Sequence, residues 1–268
     1  MSIAPPAPAQ RWADALASWA IPEHIRASAP DDPWAFPVDL FRVETHGPPL
    51  PSISHRRARE ALSGRGTVLD VGCGGGAASV PLAGPATALM GVDADPKMLA
   101  NFAAAAAAAG AVHRQIHGRW PDVAVRTPEA DVVVCHHVVY NVAAIVPFLT
   151  ALSAHGRRRV VLELTAEHPQ AALNPLWRHF WDIDRPTEPT ADLLVQIVAD
   201  TGVHPLVDRF ERPPRAANLD RQAYVAWVRR RLCLTPARDA EVDAVLPAPS
   251  ELGPTALVTV CWDLSSTA

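Results

Sequence analysis

Apolar and polar positions fall into short blocks that predict strands and helices by turns. The run from Thr67 to Val71 reads as a buried strand that enters a glycine turn and then a helix. A second apolar run, Ala86 to Val92, stops at Asp93, and Ala111 to Ile116 gives a third. Ala130 to Cys135 is nearly all valine, the composition of a strand buried on both faces. Arg159 to Leu164 and Val203 to Phe210 supply a fifth and a sixth strand, and Ala256 to Leu264 the last. The helices between them carry their own punctuation. Asp95 is an N-cap, Pro96 suits the first helical position, and Gly110 ends an alanine-rich run. Pro147 to His155 is a helix stopped at Gly156, and Thr190 caps another over Ala191 to Thr201 that Gly202 ends. Two more, around Leu219 to Leu232 and from Thr235 to Leu246, precede the last strand. Upstream, His55 to Ser63 forms a short helix before the first strand. Trp12, Leu16 and Trp19 recur at helical spacing behind a Pro/Ala-rich tail over residues 1–10. This alternation predicts an α/β fold with a doubly wound, mostly parallel sheet.

The chain has 268 residues, 49% of them apolar, which is enough for one substantial core. The expected organisation is a tail and helical extension over residues 1–60, then one domain over 61–268 with a helical insertion at about 213–254. A net charge of −4 without a long basic stripe argues against nucleic acid as a partner. Cys73, Cys135, Cys233 and Cys261 are widely spaced and form no zinc pattern, so free thiols and no metal are expected. Residues 1–10 lack the charged and apolar regions of a signal peptide, and no apolar run reaches the roughly 20 residues that span a bilayer. The expectation is a cytoplasmic protein without a membrane partner.

Chemistry concentrates at Val68-Leu69-Asp70-Val71-Gly72-Cys73-Gly74-Gly75-Gly76-Ala77. Glycines permit positive φ and let backbone approach a ligand. Asp93, placed by a βαβ unit beside that turn, can accept hydrogen bonds from ribose hydroxyls, so a nucleoside-containing ligand is expected. Gly72-x-Gly74-x-x-Ala77 also fits a dinucleotide fingerprint. Asp70 argues against that reading, because a carboxylate is poorly placed beside a pyrophosphate and suits a cationic amino group.

The strings VLDVGCGGGAASVPLA and MGVDADPKML resemble the class I S-adenosylmethionine (SAM)-dependent methyltransferases. The resemblance implies a seven-stranded Rossmann-like sheet whose last strand is antiparallel, with SAM as cofactor. It implies that Gly72, Cys73, Gly74 and Gly76 form the cofactor turn, that Asp93 binds the ribose, and that Asp70 orients the methionyl end. Ala94, Met98, Trp120 and Cys135 complete the implied cofactor set, with Trp120 packing on the adenine face and Asp122 reaching its amino group. The end of the fourth strand should face the reactive part of the cofactor, which makes His137, His136 and Tyr140 the candidate catalytic groups, with Asn141, Glu167 and His168 nearby. For a hydroxyl acceptor, His137 or His136 would be the base.

The expected activity is methyl transfer to a small molecule, O- or N-directed. Trp34, Trp120, Trp177 and Trp181 suggest a partly apolar or aromatic acceptor, while a stripe such as Trp177 and Trp181 equally suits core packing. The N-terminal aromatics read either as a lid or as cover for the sheet edge. Two rivals stand: a non-catalytic SAM-binding protein, and an NAD(P)-dependent oxidoreductase. Lys97, the only lysine, lies at the start of a helix and excludes an oxidoreductase of the Tyr-x-x-x-Lys type.

Overall fold

The computed structural model of the protein describes residues 7–33, 52–214, 220–248 and 251–264. Seven strands form one sheet: β1 Gly66–Val71, β2 Ala86–Asp93, β3 His113–His117, β4 Ala130–His136, β5 Gly156–Thr165, β6 Leu206–Arg212 and β7 Thr255–Asp263. Their order is β3-β2-β1-β4-β5-β7-β6. The first five strands run parallel, and β7 pairs antiparallel with both β5 and β6. The doubly wound, mostly parallel sheet expected from the alternation of elements is therefore present.

Each face of the sheet has its own core. On one face α3 (Ile53–Leu62) packs on β4, β5 and β7, and α4 (Pro96–Ala108) on β2 and β3. Leu62, Val68, Leu89, Phe102, Val132 and Val161 fill that layer. The opposite face takes α1 (Pro8–Ser18), α5 (Ile145–His155) and α7 (Ala191–Asp200) over Leu69, Val133, Phe148, Leu162 and Leu194. A third cluster is all-helical: α2 (Glu23–Ser28), α6 (Asn174–Trp181), α8 (Arg221–Arg231) and α9 (Asp239–Val245) bury Ile25, Trp177, Val228 and Val242.

Several local expectations change. The helix expected after the glycine turn does not form: residues 72–79 are turns, followed by one 3-10 turn, Val80–Leu82. Gly74 and Gly76 have φ of +50° and +88°, and prolines at 81 and 85 lack the N–H groups that a helix would need there. Residues 8–10, expected in a tail, are the first turn of α1, entered through Pro8. α5 ends at His155 with Gly156 as its C-cap, as expected, but starts two residues earlier, at Ile145, and Gly156 also opens β5 in extended conformation. β6 starts three residues later than expected, at Leu206. Trp34 and the aromatics Phe36 and Phe41 lie outside the described residues. Among the described residues no helix is long and apolar enough to cross a membrane.

Candidate functional site

The glycine turn sits at the carboxyl ends of β1 and β2. Gly72 and Cys73 donate their N–H groups to Val92 O (2.8 and 3.0 Å), which fastens the turn to β2. Asp93, the last residue of β2, accepts from Gly74 N at Oδ2 and from Asp95 N at Oδ1, both at 2.9 Å. The turn, the acid and the N-terminus of α4 are thus one hydrogen-bonded unit. Gly74 is left-handed, and a Cβ there would meet nothing within 4 Å, so the turn opens onto space at this point. A Cβ on Gly72 would lie 2.4 Å from Val138 Cγ2, which shows that the segment after β4 packs directly against the turn.

Asp70 is fully buried under the turn. Ser79 Oγ donates to its Oδ2 at 2.5 Å, and Oδ1 has no hydrogen-bond partner. Burial raises its pKa to about 7, against the lowering effect of Ser79. Cys73 turns its thiol into the core, where a Cβ on Gly91 would touch it at 2.9 Å, and burial pushes that thiol up. Only its backbone stays at the turn. Ala94 is exposed beside Asp93, with its carbonyl 3.1 Å from His117 Nε2, and Met98 is half-buried in the first turn of α4.

Two members of the expected cofactor set lie elsewhere. Cys135 is buried in the core on the α5 face. Trp120 joins the same core at 7% exposure, its ring edge-on to His155 at 4.8 Å. The indole is enclosed by apolar neighbours, so it does not offer the open adenine-stacking face expected from its position. Asp122 is exposed beyond it.

The second half of the site is a polar row that starts at the end of β4 and crosses β5, β7 and β6. His136, Glu163, Thr259 and Asp208 are register partners across these four strands. The helix α3 meets this polar row with matching groups. His55 faces His136 (ring centroids 5.6 Å), Ser54 Oγ lies 2.6 Å from Thr259 Oγ1, and Arg57 grips Asp208 with bonds of 2.8 and 3.0 Å. Glu163, 3% exposed, is at its centre. His137 has φ of +60°, donates its N–H to Glu163 O at 2.7 Å, and holds Nε2 3.2 Å from Glu163 Oε1. Arg212, at the end of β6, brings Nη2 to 3.3 Å from that same Nε2 and Nη1 to 3.6 Å from Oε1.

One nitrogen cannot both donate to Glu163 and accept from Arg212. The carboxylate is the stronger partner, and pairing with it makes Nδ1 the basic nitrogen of His137. Burial alone would raise the pKa of Glu163, but His136, His137 and Ser54 outweigh it and hold the carboxylate well below its usual range. His136 goes the other way: burial lowers its pKa to about 3 despite Glu163, and its Nε2 is buried without a partner. Its imidazole is enclosed. Of the two candidate bases, His137 is the one with a buried carboxylate behind it.

Tyr140 spends its hydroxyl proton on Thr165 O at 2.8 Å and stacks on Trp12 (5.6 Å, 13°). Burial raises its pKa further. It braces the end of β5 and carries no free acidic proton. His168 packs edge-on to Tyr140 and stacks on Trp19 at 3.9 Å, and burial lowers its pKa to about 4. Asn141 is exposed and donates to Val138 O, and Glu167 is exposed. Trp177 is buried in the helical cluster, and Trp181 donates its indole N–H to Leu232 O at 2.7 Å. Trp120 and Trp177 are thus core and Trp181 packs, partly buried, against the helical cluster, while Trp34 lies outside the described residues.

Sequence reading did not single out Glu163 or Arg212. For Glu163 a signal existed, a single acid inside the apolar run Val160-Val161-Leu162-Glu163-Leu164. Arg212 had none, because it lies on an edge strand that also carries Asp208, Arg209 and Glu211. Among the described residues no group of three or more His, Cys, Asp or Glu side chains is arranged to hold a metal ion.

Residues 68–157 match a family model described as a methyltransferase domain. None of the curated proteins matches the chain. Among solved structures, the fold is similar to a protein from Galdieria sulphuraria assigned as a sarcosine dimethylglycine methyltransferase, at 13% identity and TM-score 0.51, over 80% of this chain and 83% of that one. A structure concerned with the conversion of a disulfide bond into a thioacetal group during echinomycin biosynthesis gives 18% identity and TM-score 0.52, over 79% and 82%. The YcgJ protein of Bacillus subtilis gives 13% and 0.50, over 76% and 98%. These likenesses establish the fold, and the matched stretch spans the glycine turn, Asp93 and the end of β4. The chain has the class I methyltransferase fold, and its residues 68–157 match the model of a methyltransferase domain.

Proposed function

We propose that this chain transfers the methyl group of SAM to an oxygen atom of a small-molecule acceptor, with His137 as the base. The observation that carries this reading is the pairing of His137 with buried Glu163, one residue from Val138, which packs on Gly72 of the cofactor turn. The residues fit SAM: Gly74 opens onto space, Asp93 offers a carboxylate already ordered by two backbone N–H groups, and Asp70 retains an unpartnered acceptor atom. Gly72, Gly74 and Gly76 would cradle the cofactor, and Asp93 would hold its ribose.

When bound, SAM supplies a methyl group already activated on a sulfonium, which departs as a neutral thioether. The protein then has to align the acceptor oxygen and remove one proton. His137 would serve as the base for the acceptor's O–H proton, taken at Nδ1. Glu163, accepting from Nε2–H, stabilises the imidazolium so formed. General-base assistance of this kind is worth about 10²–10⁴-fold, and alignment can contribute about 7–11 kcal/mol more.

The test is a panel of alcohols, phenols, carboxylic acids and amines incubated with methyl-labelled SAM, repeated on Glu163→Gln. Labelled ether or ester product is expected, with kcat lowered about 10²-fold or more in the variant and KM for the acceptor little changed. Turnover confined to amines would contradict the O-directed reading, and an unchanged kcat in the variant would remove His137 from its assigned role.

A further inference from the structure

The cofactor turn is held by a helix that precedes it in sequence. The prolines at 81 and 85 are four residues apart, and each lies four residues after a carbonyl it would serve in a helix: Ala77 O and Pro81 O. A proline has no N–H to give, so both carbonyls lose their helical donor. On α3, His55 and Arg59 are also four apart and share one face. His55 Nε2 lies 3.1 Å from Ala77 O, and Arg59 Nη2 donates to Pro81 O at 2.5 Å. Two side-chain donors on α3 thus replace the two backbone donors that the prolines remove.

The tautomer needed for this is set locally. Ser52, the N-cap of α3, donates its backbone N–H to His55 Nδ1 at 3.3 Å, in a capping box with His55 at the third helical position. With Nδ1 accepting, the proton is on Nε2, which donates to Ala77 O. His55 is 7% exposed, and burial lowers its pKa.

We infer that α3, through His55 and Arg59, positions the glycine turn, so that cofactor affinity depends on residues of a helix outside the matched domain stretch. His55 and Arg59 are positioning residues, acting through the backbone of residues 77–81. The inference rests on the cofactor reading above, and its test separates the two.

S-adenosylhomocysteine is titrated calorimetrically into the full-length protein and into His55→Phe, His55→Gln and Arg59→Met, with amide exchange followed over residues 74–80. His55→Phe is expected to weaken binding about tenfold or more and to speed exchange in the turn. His55→Gln, which keeps a side-chain donor near Ala77 O, should stay within about threefold of wild type. Arg59→Met removes only the exposed tether and should weaken binding about threefold, so it reports even if His55→Phe fails to fold. Rescue by glutamine is the outcome a merely space-filling role would not give. Wild-type affinity and exchange in His55→Phe or Arg59→Met would overturn the inference while leaving the cofactor reading intact. A wild-type protein that does not bind S-adenosylhomocysteine would overturn the cofactor reading and this inference with it.

Discussion

Glu163 illustrates how one residue can define a site. A buried acid near the end of a strand inside the sheet is costly unless it is paired, and here His137, Arg212 and the neighbouring His136 surround it. Removing its charge should therefore act on chemistry more than on binding, the split tested by Glu163→Gln above. Gly72 makes a different point. Its φ is +70°, and a Cβ would lie 2.4 Å from Val138 Cγ2, so Gly72→Ala combines left-handed strain of about 1–2 kcal/mol with overpacking of about 1–3 kcal/mol. Urea unfolding should show a loss of roughly 2 kcal/mol or more; a loss under about 0.5 kcal/mol would mean that the turn and the segment after β4 are not packed together. Residue identity was legible where it was redundant. Glycines before a helix-like stretch and an acid at the next strand's end announce themselves, whereas His55 looks like any helical histidine until Ala77 O is seen 3.1 Å from it.

At the scale of elements, strands were easier to read than what connects them. β1, β2, β4 and β7 were expected within about one residue of where they lie, because both faces of each are buried and the apolar run has sharp ends. The helix expected to follow the strand and glycine turn is missing because Pro81 and Pro85 deny it hydrogen bonds. The polar row was invisible for another reason. Its members are far apart in sequence and meet only through strand register. That row predicts how α3 docks. Arg57→Ala leaves Asp208 without its bidentate partner, and α3 should loosen locally. Amide exchange over residues 53–62 should quicken while α5 on the opposite face is unaffected; equal acceleration on both faces would show that α3 is not held by the row.

For the molecule as a whole, buried titratable groups set the pH dependence of stability. His55, His136 and His168 all have pKa values lowered by burial, the last two to about 3 and about 4. Between pH 6.5 and about 4 the unfolded chain binds protons at these positions and the folded one does not, so their contribution is present above pH 6.5 and lost on acidification. Asp70 has the opposite sign. Raised to about 7 by burial, it keeps a proton that the unfolded chain releases above 3.8, so its contribution shrinks as pH rises. Three histidines outweigh one acid. The urea midpoint should therefore fall steadily from pH 7 to pH 4, and a midpoint that rises on acidification would mean that the histidines are solvated.

The central claim is that the glycine turn and Asp93 hold SAM. Its most direct test is calorimetric titration of the wild-type protein and of Asp93→Ala with S-adenosylhomocysteine, with NAD and NADP in parallel. The account predicts one site for S-adenosylhomocysteine, no binding of either nicotinamide cofactor, and affinity weakened about tenfold or more in Asp93→Ala. Binding of NAD or NADP in its place, or an Asp93→Ala variant that binds as tightly as wild type, would contradict it.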